Sequence, residues 1–303
     1  MATLRAAIGA AIAAIAIHST AVAQSCGAAS PVSIQILGSN GWNFSPDRVS
    51  AGYLLWIDGK ARMIVDMGGG TYARYSQSGA KFPDLEVIAI SHFHPDHTSD
   101  LPALMWAGRL SRSDVLPVLG PSGNVDVPSL PEFLKRLFDP KDGAFQVLGS
   151  ILAPASLNTG VVHLEPHTVD VTNTEPARVL EKSDMVITAL GIPHGNIPAV
   201  AYRVEVHGVS VVFSTDQNGT NPRFVDFAKG ADVLVMHMAT NMEGSAYHAS
   251  PAVLGRIAQA AAPHRLVVSH LGAFDLDKAV AEVRRYYTGP LTVGADLQCT
   301  PVQ

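Results

Sequence analysis

The sequence predicts an α/β protein built as a four-layer α/β sandwich. Short apolar runs, separated by turns that contain glycine, recur along both halves of the chain and are typical of strands. In both halves such runs are followed by segments with the apolar spacing of helices. Nearly half of the 303 residues (47%) are hydrophobic and 16% are charged, so the chain can bury a substantial core.

The N-terminal residues 1–23 have the pattern of a secretory signal peptide. Arg5 supplies a positive charge, an apolar stretch of twelve residues follows, and small residues occupy positions 21–23. The apolar stretch is shorter than the roughly 20 residues of a membrane-spanning helix, so we expect no stable membrane anchor. We therefore predict a single domain over 24–303 that is periplasmic or secreted.

The first half of the mature chain is predicted to form strands and one helix. A continuous apolar run, LEVIAIS, is typical of a strand buried on both faces. The segment LPALMWAGRL after it has helical spacing, with Asp100 and Pro102 as start signals. Three earlier runs also predict strands: VSIQILG, GYLLWIDG and RMIVDMGGG.

The second half repeats this organisation. DMVITAL, AVAYRVEV and VSVVFST predict strands, and strands alternate with helices from ADVLVMH to LTVG. Residues 121–182 are less periodic and richer in Pro, Ser and Asn. We interpret them as a loop-rich insertion with short helices, inside the same domain, that could form a pocket wall.

The segment SHFHPDHTSD, residues 91–100, holds three histidines and two aspartates. It is either a solvated surface turn or a metal site. In an extended segment residues i and i+2 point the same way, so His92 and His94 can share one ion. Pro95 then turns the chain, which directs Asp96 and His97 to a second ion.

Further metal-ligating residue types follow other predicted strands. His194 follows DMVITAL after a short turn, Asp216 follows VSVVFST, and His270 ends RLVVSH. Loops at the carboxyl ends of strands converge on one rim in α/β folds. Imidazole nitrogens and carboxylate oxygens suit Zn²⁺. The combined pattern favours a metal site over a solvated turn.

These motifs resemble the metallo-β-lactamase superfamily, over nearly all of the mature chain from VSIQILGSNG to RLVVSHLG. The resemblance implies an αββα sandwich and a site with two Zn²⁺ ions. It also implies that Asp66 of IVDMGGG supports the site without binding metal. The ligands that it implies are His92, His94 and His194 for one zinc, Asp96, His97 and His270 for the other, and Asp216 between the two.

One branch of the superfamily is matched more closely. GIPHGNIPAVAYRVE and MHMATN…YHAS are similar to the ribonuclease Z and arylsulfatase-like branch, where His237 and His248 match motif histidines. The resemblance implies that His248 protonates the leaving group; the alternative is a surface histidine beside Tyr247. His237 is either a partner that orients a metal ligand or a core histidine bonded to backbone. Met238 and Tyr247 replace the branch's Glu and Gly, a departure from the pattern for tRNA processing.

We therefore expect an exported dinuclear zinc hydrolase of a small-molecule ester, most simply a phosphodiester or an aryl sulfate. A hydroxide between the ions would be the nucleophile, with Asp96 and His248 as catalytic residues. The formal net charge of −5 argues against nucleic acid as the main partner. The resemblance implies a homodimer as one candidate assembly. The alternatives are a β-lactamase or lactonase, a metal-binding protein without turnover, and an iron redox protein.

The remaining features concern the ends of the chain and the residues around the site. Cys26 and Cys299 are the two cysteines, and in an oxidising compartment they predict one disulfide that ties the two ends of the chain together; the alternative is two unrelated thiols. Trp42 and Phe44 lie on a Gly-bearing loop, where they either stack on a substrate or pack normally. Four histidines in predicted loops, without carboxylate partners, are given no role in the site: His163, His167, His207 and His264.

Overall fold

The computed structural model describes residues 26–28, 30–240 and 242–303; the predicted signal peptide lies outside them. The strands are β1 Val32–Gly38, β2 Gly52–Ile57, β3 Lys60–Val65, β4 Val87–Ala89, β5 Val115–Pro121, β6 His163–Val169, β7 Ala177–Lys182, β8 Met185–His194, β9 Ile197–Val206, β10 Val209–Phe213, β11 Val233–His237, β12 Arg265–Ser269, β13 Leu291–Val293 and β14 Cys299–Pro301. The helices are α1 Thr71–Ser78, α2 Pro95–Thr98, α3 Leu101–Gly108, α4 Leu130–Phe138, α5 Phe224–Ala228, α6 Pro251–Ala261 and α7 Leu276–Arg284.

The strands form two seven-stranded sheets with the same internal plan. The first has the order β14-β1-β2-β3-β4-β5-β6, and the second has the order β13-β12-β11-β10-β9-β8-β7. In each sheet a meander of antiparallel strands continues into a parallel block, β3 to β6 in the first and β10 to β13 in the second. The carboxyl ends of the parallel strands therefore lie along one edge of each sheet.

Three apolar clusters separate four layers. The central cluster lies between the sheets and includes Tyr53 of β2 and Tyr202 of β9. A second cluster packs α1, α3 and α4 on the outer face of the first sheet, and a third packs α5, α6 and α7 on the second. This arrangement confirms the predicted αββα sandwich.

The segment 121–182 is only partly the loop-rich insertion that the sequence predicts. It contains α4 and two short 3₁₀ helices, as expected. It also contains β6 and β7, which are the edge strands of the two sheets. The pattern hid β6 because its middle residues are polar and exposed, as an edge strand covered on one side allows.

The two ends of the described chain are joined by a disulfide between Cys26 and Cys299, whose Cα atoms lie 5.5 Å apart. This confirms the predicted pairing and excludes the alternative of two free thiols. Strand β14, which begins at Cys299, adds to the edge of the first sheet beside β1. Within the described residues, no helix combines the length and apolar character needed to cross a membrane.

Candidate metal centre

The loop after β4 carries the HxHxDH motif and is fixed by its neighbours. Pro95 starts the short helix α2 one residue after His94. The Met67 amide donates to the carbonyl of His97 at 2.7 Å. A Cβ on Gly68 would lie 1.9 Å from the Asp96 carbonyl oxygen, so only glycine permits this approach. Gly68 therefore makes room for the metal loop.

Asp100 has a different role from the one that the sequence suggests. It occupies the N-cap position of α3, but its side chain makes no cap bond there. Its carboxylate instead accepts hydrogen bonds from the amides of Gly70 and Tyr72, at 2.8 and 2.9 Å. Asp100 thus caps the start of α1 and ties it to the metal loop.

Four side chains from both sheets form what we call the open group. Nε2 of His92 lies 2.9 Å from Nδ1 of His94, which lies 3.4 Å from Nε2 of His194. Oδ2 of Asp216 lies 3.9 Å from His92 Nε2 and 3.7 Å from His194 Nε2. Each residue offers one ligand atom, and all four atoms lie within 4.8 Å of one another.

A second set, the closed group, consists of His97, Asp216, His237 and His270, with ligand atoms also within 4.8 Å of one another. The Nε2 atoms of His97 and His270 lie 3.0 Å apart. Oδ2 of Asp216 lies 3.5 Å from His97 Nε2. All four residues are buried. The shared Asp216 makes the two groups one continuous centre.

Asp96 lies beside the closed group. Its Oδ2 atom is 3.2 Å from Nε2 of His270 and 3.8 Å from Nε2 of His97. The closed group contains His237 instead of Asp96, but both ring nitrogens of His237 have hydrogen-bond partners. Nδ1 donates to Asp216 Oδ1 at 2.7 Å, and Nε2 lies 2.9 Å from the Tyr53 hydroxyl. We therefore keep Asp96 as the candidate ligand and assign His237 to the orientation of Asp216.

The contacts of His237 decide between its two sequence interpretations. Its ring bonds the side chains of Asp216 and Tyr53, which fits a partner of a ligand and not a core histidine bonded to backbone. Its ring also stacks on that of His270, with centroids 4.6 Å apart and planes 5° from parallel. No sequence pattern points to Tyr53, which is separated from His237 by 184 residues.

Other ring nitrogens are held so that one nitrogen faces the centre. Nδ1 of His97 lies 2.8 Å from Asp66 Oδ2, and Nδ1 of His92 lies 3.0 Å from Ser91 Oγ. Nδ1 of His194 lies 2.8 Å from the Tyr247 carbonyl. Because these acceptors fix the proton on Nδ1, they leave Nε2 unprotonated for a metal. Asp66 therefore has the supporting position that the resemblance implies.

Three residues around the centre have a positive φ angle, in the left-handed region that is unfavourable for residues other than glycine. Asp66, Thr215 and His270 have φ angles of 58°, 51° and 51°, although none is glycine. Such conformations cost about 1–3 kcal/mol each and persist where the surrounding contacts impose them. Each of the three is a residue of the centre or lies next to one. The fold therefore loses some stability in order to orient these side chains.

Burial and neighbouring charges shift the pKa values of the centre's histidines in opposite directions. Burial lowers the pKa of His92 well below its usual value and that of His194 to about 4. Burial would also lower the pKa of His97, but Asp66 and Asp216 outweigh it and raise that pKa well above its usual value. Burial opposes ionisation of Asp96, yet the hydrogen bond from His270 lowers its pKa to about 2. Asp96 is therefore ionised at neutral pH.

The centre opens to solvent through a cavity of about 400 Å³, which we call the first cavity. The imidazole of His248 reaches it, with Nδ1 3.8 Å from Asp216 Oδ2. Trp42, which is 72% exposed, lines the cavity, whereas Phe44 does not and projects into solvent. The expectation that this loop borders the pocket therefore holds for Trp42 alone. The lining residues are Trp42, His94, Pro95, Asp96, His194, Asp216, Ser245, Tyr247 and His248.

With this geometry in place, the family model described as "Beta-lactamase superfamily domain" matches residues 64–271, from β3 to the residue after His270. The match covers more than half of the chain and all seven predicted ligands. The chain belongs to the beta-lactamase superfamily.

Curated relatives in this superfamily include proteins named ribonuclease Z. The one from Clostridium tetani is 28% identical over 178 residues, which are 58% of this chain and 51% of that protein. This chain thus spans about half the length of that relative. The one from Pseudomonas putida GB-1 is 28% identical over 298 residues, covering 82% of this chain and 90% of that protein.

Solved structures with the same fold extend the comparison. YhfI from Bacillus subtilis, a metallo-beta-lactamase fold protein, superposes with a TM-score of 0.69 at 20% identity, covering 89% of this chain and 99% of YhfI. The short form of human tRNase Z superposes with a TM-score of 0.68, also at 20% identity, covering 89% and 99%. At this identity the likeness shows the fold.

The four histidines to which the sequence pattern assigns no role lie outside both groups. The prediction that they have no carboxylate partner is wrong for three of them. Three have a carboxylate partner: His167 with Glu165 at 3.2 Å, His207 with Asp184 at 2.6 Å and His264 with Asp232 at 3.0 Å. His163 and His167 lie in β6 and not in a loop. The pairings with Asp184 and Asp232 do not follow from the local pattern, because these partners are distant in sequence, whereas Glu165 lies two residues before His167 in the same strand.

Proposed function

We propose that the protein is a metal-dependent hydrolase that cleaves an ester bond of a small substrate with the help of two Zn²⁺ ions. The observation that carries the proposal is the convergence of two groups of buried ligand atoms, joined by Asp216, on the floor of an open cavity. Buried clusters of this composition are costly to form unless they serve binding or catalysis.

The donor set fits zinc by a simple distance test. Two ligands bound to one tetrahedral zinc at about 2.0–2.1 Å lie roughly 3.3 Å apart. The facing ring nitrogens of the open group are 2.9 and 3.4 Å apart, and those of His97 and His270 are 3.0 Å apart. The residues that would hold the ions are His92, His94, His194 and Asp216 for one, and Asp96, His97, His270 and Asp216 for the other.

The chain's own residues would divide the remaining work. Bound zinc supplies Lewis acidity and an activated water at neutral pH. Asp96 faces the cavity as a carboxylate and can accept a proton from the attacking water. His248 lines the same cavity, where it can give a proton to the leaving oxygen. Trp42 and Tyr247 shield the reacting bond and offer aromatic surface to the substrate.

The lining of the first cavity favours a small ester over RNA, even though curated relatives are named ribonuclease Z. No Lys or Arg is among its lining residues. Proteins that bind nucleic acid neutralise several phosphates with such side chains. The formal net charge of −5 points the same way. We therefore propose a phosphodiester or an aryl sulfate as the substrate.

We also propose that the protein works outside the cytoplasm. The Cys26–Cys299 disulfide is of the kind that persists in oxidising compartments. The signal-peptide pattern of residues 1–23 supports the same location. Expression with N-terminal sequencing of the secreted fraction tests this, and a chain that retains residues 1–23 in the cytoplasm would contradict it.

The function is tested by metal analysis together with a substrate panel. We expect two zinc ions per chain, loss of activity with a chelator and its return with Zn²⁺. The panel is bis(p-nitrophenyl) phosphate, p-nitrophenyl sulfate, nitrocefin, a homoserine lactone and a 3′-extended tRNA. The highest kcat/KM should belong to the phosphate diester or the sulfate. A higher value for nitrocefin, the lactone or the tRNA would overturn the proposed substrate class, and iron with a visible chromophore would overturn the proposed metal.

A further inference from the structure

A separate cavity of about 320 Å³, which we call the second cavity, adjoins the metal centre. It shares His94 with the first cavity, so this one imidazole stands between the two. Both volumes lie in the range of about 300–1,000 Å³ that is usual for small-molecule sites. The residues around the second cavity are Phe93, His94, Asp126, Val127, Pro128, Phe133, Arg136, Leu137 and Ile197.

The walls of the second cavity are apolar. Phe93, between the two histidines of the metal loop, stacks on Phe133 of α4 with ring centroids 4.2 Å apart and planes 9° from parallel. Because successive residues of an extended segment point to opposite sides, Phe93 faces away from the ions that its neighbours would hold. The segment 121–182 thus supplies a wall of this cavity, beside the metal loop.

The charges at the rim do not favour an anion. Arg136 is paired with Glu132 at 3.0 Å, so its charge is already compensated. Asp126 adds a carboxylate. A site for a carboxylate or a phosphate would instead present an unpaired cation or several amide donors. The chemistry of the second cavity therefore fits an uncharged apolar group.

Hydrogen bonds fix the loop that carries Asp126 and Val127 beside the second cavity. The Asn124 side chain accepts from the amides of Asp126 and Val127, at 2.9 and 2.8 Å, and donates to the Asn196 carbonyl at 2.8 Å. The side chain of Asn196 in turn accepts from the hydroxyl of Tyr247, which lines the first cavity, at 3.4 Å. Hydrogen bonds through Asn124 and Asn196 therefore connect the loop beside the second cavity with Tyr247 of the first.

We propose that the second cavity binds an apolar, uncharged alkyl or aryl group on the side of the substrate opposite the leaving group, so that the substrate is a diester. This inference rests on the proposed ester hydrolysis. A diester has two organic groups on one reacting centre, one for each cavity, whereas a sulfate monoester has only one. Of the two substrate classes above, the second cavity favours the phosphodiester.

The test is a series of p-nitrophenyl phosphodiesters with the same leaving group and a second group that grows from methyl to butyl to hexyl. With the zinc-loaded protein, kcat/KM should rise roughly fourfold per added methylene until the cavity is filled. Val127→Trp fills the cavity without opening a void, and it should reduce the hexyl-to-methyl ratio of kcat/KM by at least tenfold. Phe145→Ala is the matched control, since this partly exposed aromatic of the same segment lines neither cavity.

A binding measurement separates the subsite from the reaction. Calorimetry with methylphosphonate and hexylphosphonate should show tighter binding of the hexyl compound to the wild type and to Phe145→Ala, and loss of that preference in Val127→Trp. A flat ester series in the wild type, or an unchanged ratio in Val127→Trp, would overturn the subsite. Chain-length-dependent phosphonate binding with no turnover of any diester would overturn the proposed function and leave the subsite standing.

Discussion

The open group and the closed group share Asp216 but differ in their surroundings. Two histidines of the open group, His94 and His194, line the first cavity, and His94 is partly exposed. No histidine of the closed group lines it. The closed group is instead anchored from behind, through Asp66 on His97 and through Tyr53 on His237.

This difference separates a reacting face from an anchoring face. A substrate can approach the open group, whereas the closed group is reached only past Asp96 at its rim. Outer hydrogen-bond partners fix the orientation of ligands in both groups and tune the metal, whereas, of the histidines in the two groups, only those of the open group line the first cavity. If the two faces are distinct, substitutions on each should produce different losses.

The largest effect is expected from Asp216→Ala, which removes the residue common to both groups. The variant should lose metal from both groups and fall to the uncatalysed rate, beyond the about 10–100-fold loss typical of an outer partner. Metal analysis and kcat/KM on a phosphate diester check this. Asp232→Ala, at the amino end of β11, is the control and should keep both metals. Full occupancy in Asp216→Ala would refute the shared role.

A second large effect concerns the pH dependence of the metal-free protein. His92, His194 and His237 are buried with lowered pKa values, the last two at about 4, while that of His97 is raised. Between pH 6.5 and 4 the unfolded chain therefore binds more protons at the three lowered groups, and acid favours unfolding. His97 acts in the opposite sense, because its stabilisation is present below its folded pKa and lost above it.

Below the usual histidine pKa, His97 binds a proton in both the folded and the unfolded state, so it does not offset the three lowered groups there, and the free energy of unfolding falls as the pH is lowered. Urea unfolding of chelator-treated protein should thus show a markedly lower free energy of unfolding at pH 5 than at pH 7. Added zinc should raise the free energy of unfolding at pH 7, since it binds the deprotonated folded site. Equal stability of the metal-free protein at both pH values would show that the histidines are not buried in neutral form.

A smaller effect on catalysis, without loss of metal, is expected from His248→Ala at the first cavity. Loss of a proton donor should reduce kcat about 10²-fold for an alkyl leaving group, which needs protonation. A nitrophenyl leaving group needs little protonation, so its loss should be only a few-fold. The metals should stay bound, because His248 belongs to neither group. Equal losses on both ester types, or loss of zinc, would move His248 out of the acid role. His207→Ala, in the turn between β9 and β10, is the matched histidine control.

Much of the centre can be predicted from the sequence because its ligands lie at strand ends. The spacing of His92, His94 and His97 is local, and the carboxyl ends of β8, β10 and β12 meet at one edge by topology. Apolar runs and turn residues likewise identify most strands. The disulfide follows from arithmetic, since two cysteines allow one pairing.

The parts that escape prediction depend on pairings between distant residues. Tyr53 sits in an ordinary apolar strand, and only the packing of the two sheets brings it to His237. Asp100 caps α1 and not its own helix, which requires the fold of the Asp66–Gly70 loop. The second cavity depends on where α4 rests, and neither periodicity nor composition reports this.

The smallest effects come from a matched pair of hydroxyl deletions. Ser91→Ala removes the oxygen beside Nδ1 of His92, and Tyr53→Phe removes the one beside Nε2 of His237. One hydrogen bond contributes about 1 kcal/mol, so each variant should weaken zinc binding about fivefold. Ser91→Ala should weaken both ions, because its Oγ also donates to Asp66 Oδ2 and lies 3.3 Å from Nδ1 of His97. Tyr53→Phe should weaken mainly the ion of the closed group, because His237 belongs to that group and bonds Oδ1 of Asp216.

A two-step zinc titration against a chelating indicator, combined with urea unfolding, distinguishes these expectations from general destabilisation. Tyr202→Phe is the control, because this buried tyrosine of the same core donates to the Ile90 carbonyl and contacts neither group. It should lower the free energy of unfolding without moving either zinc step. If Tyr53→Phe shifts both zinc steps equally, Tyr53 does not support the closed group in particular. If Tyr53→Phe changes the free energy of unfolding but neither zinc step, Tyr53 is a core residue without a role in metal binding. Asp66 would then be the residue that anchors the closed group.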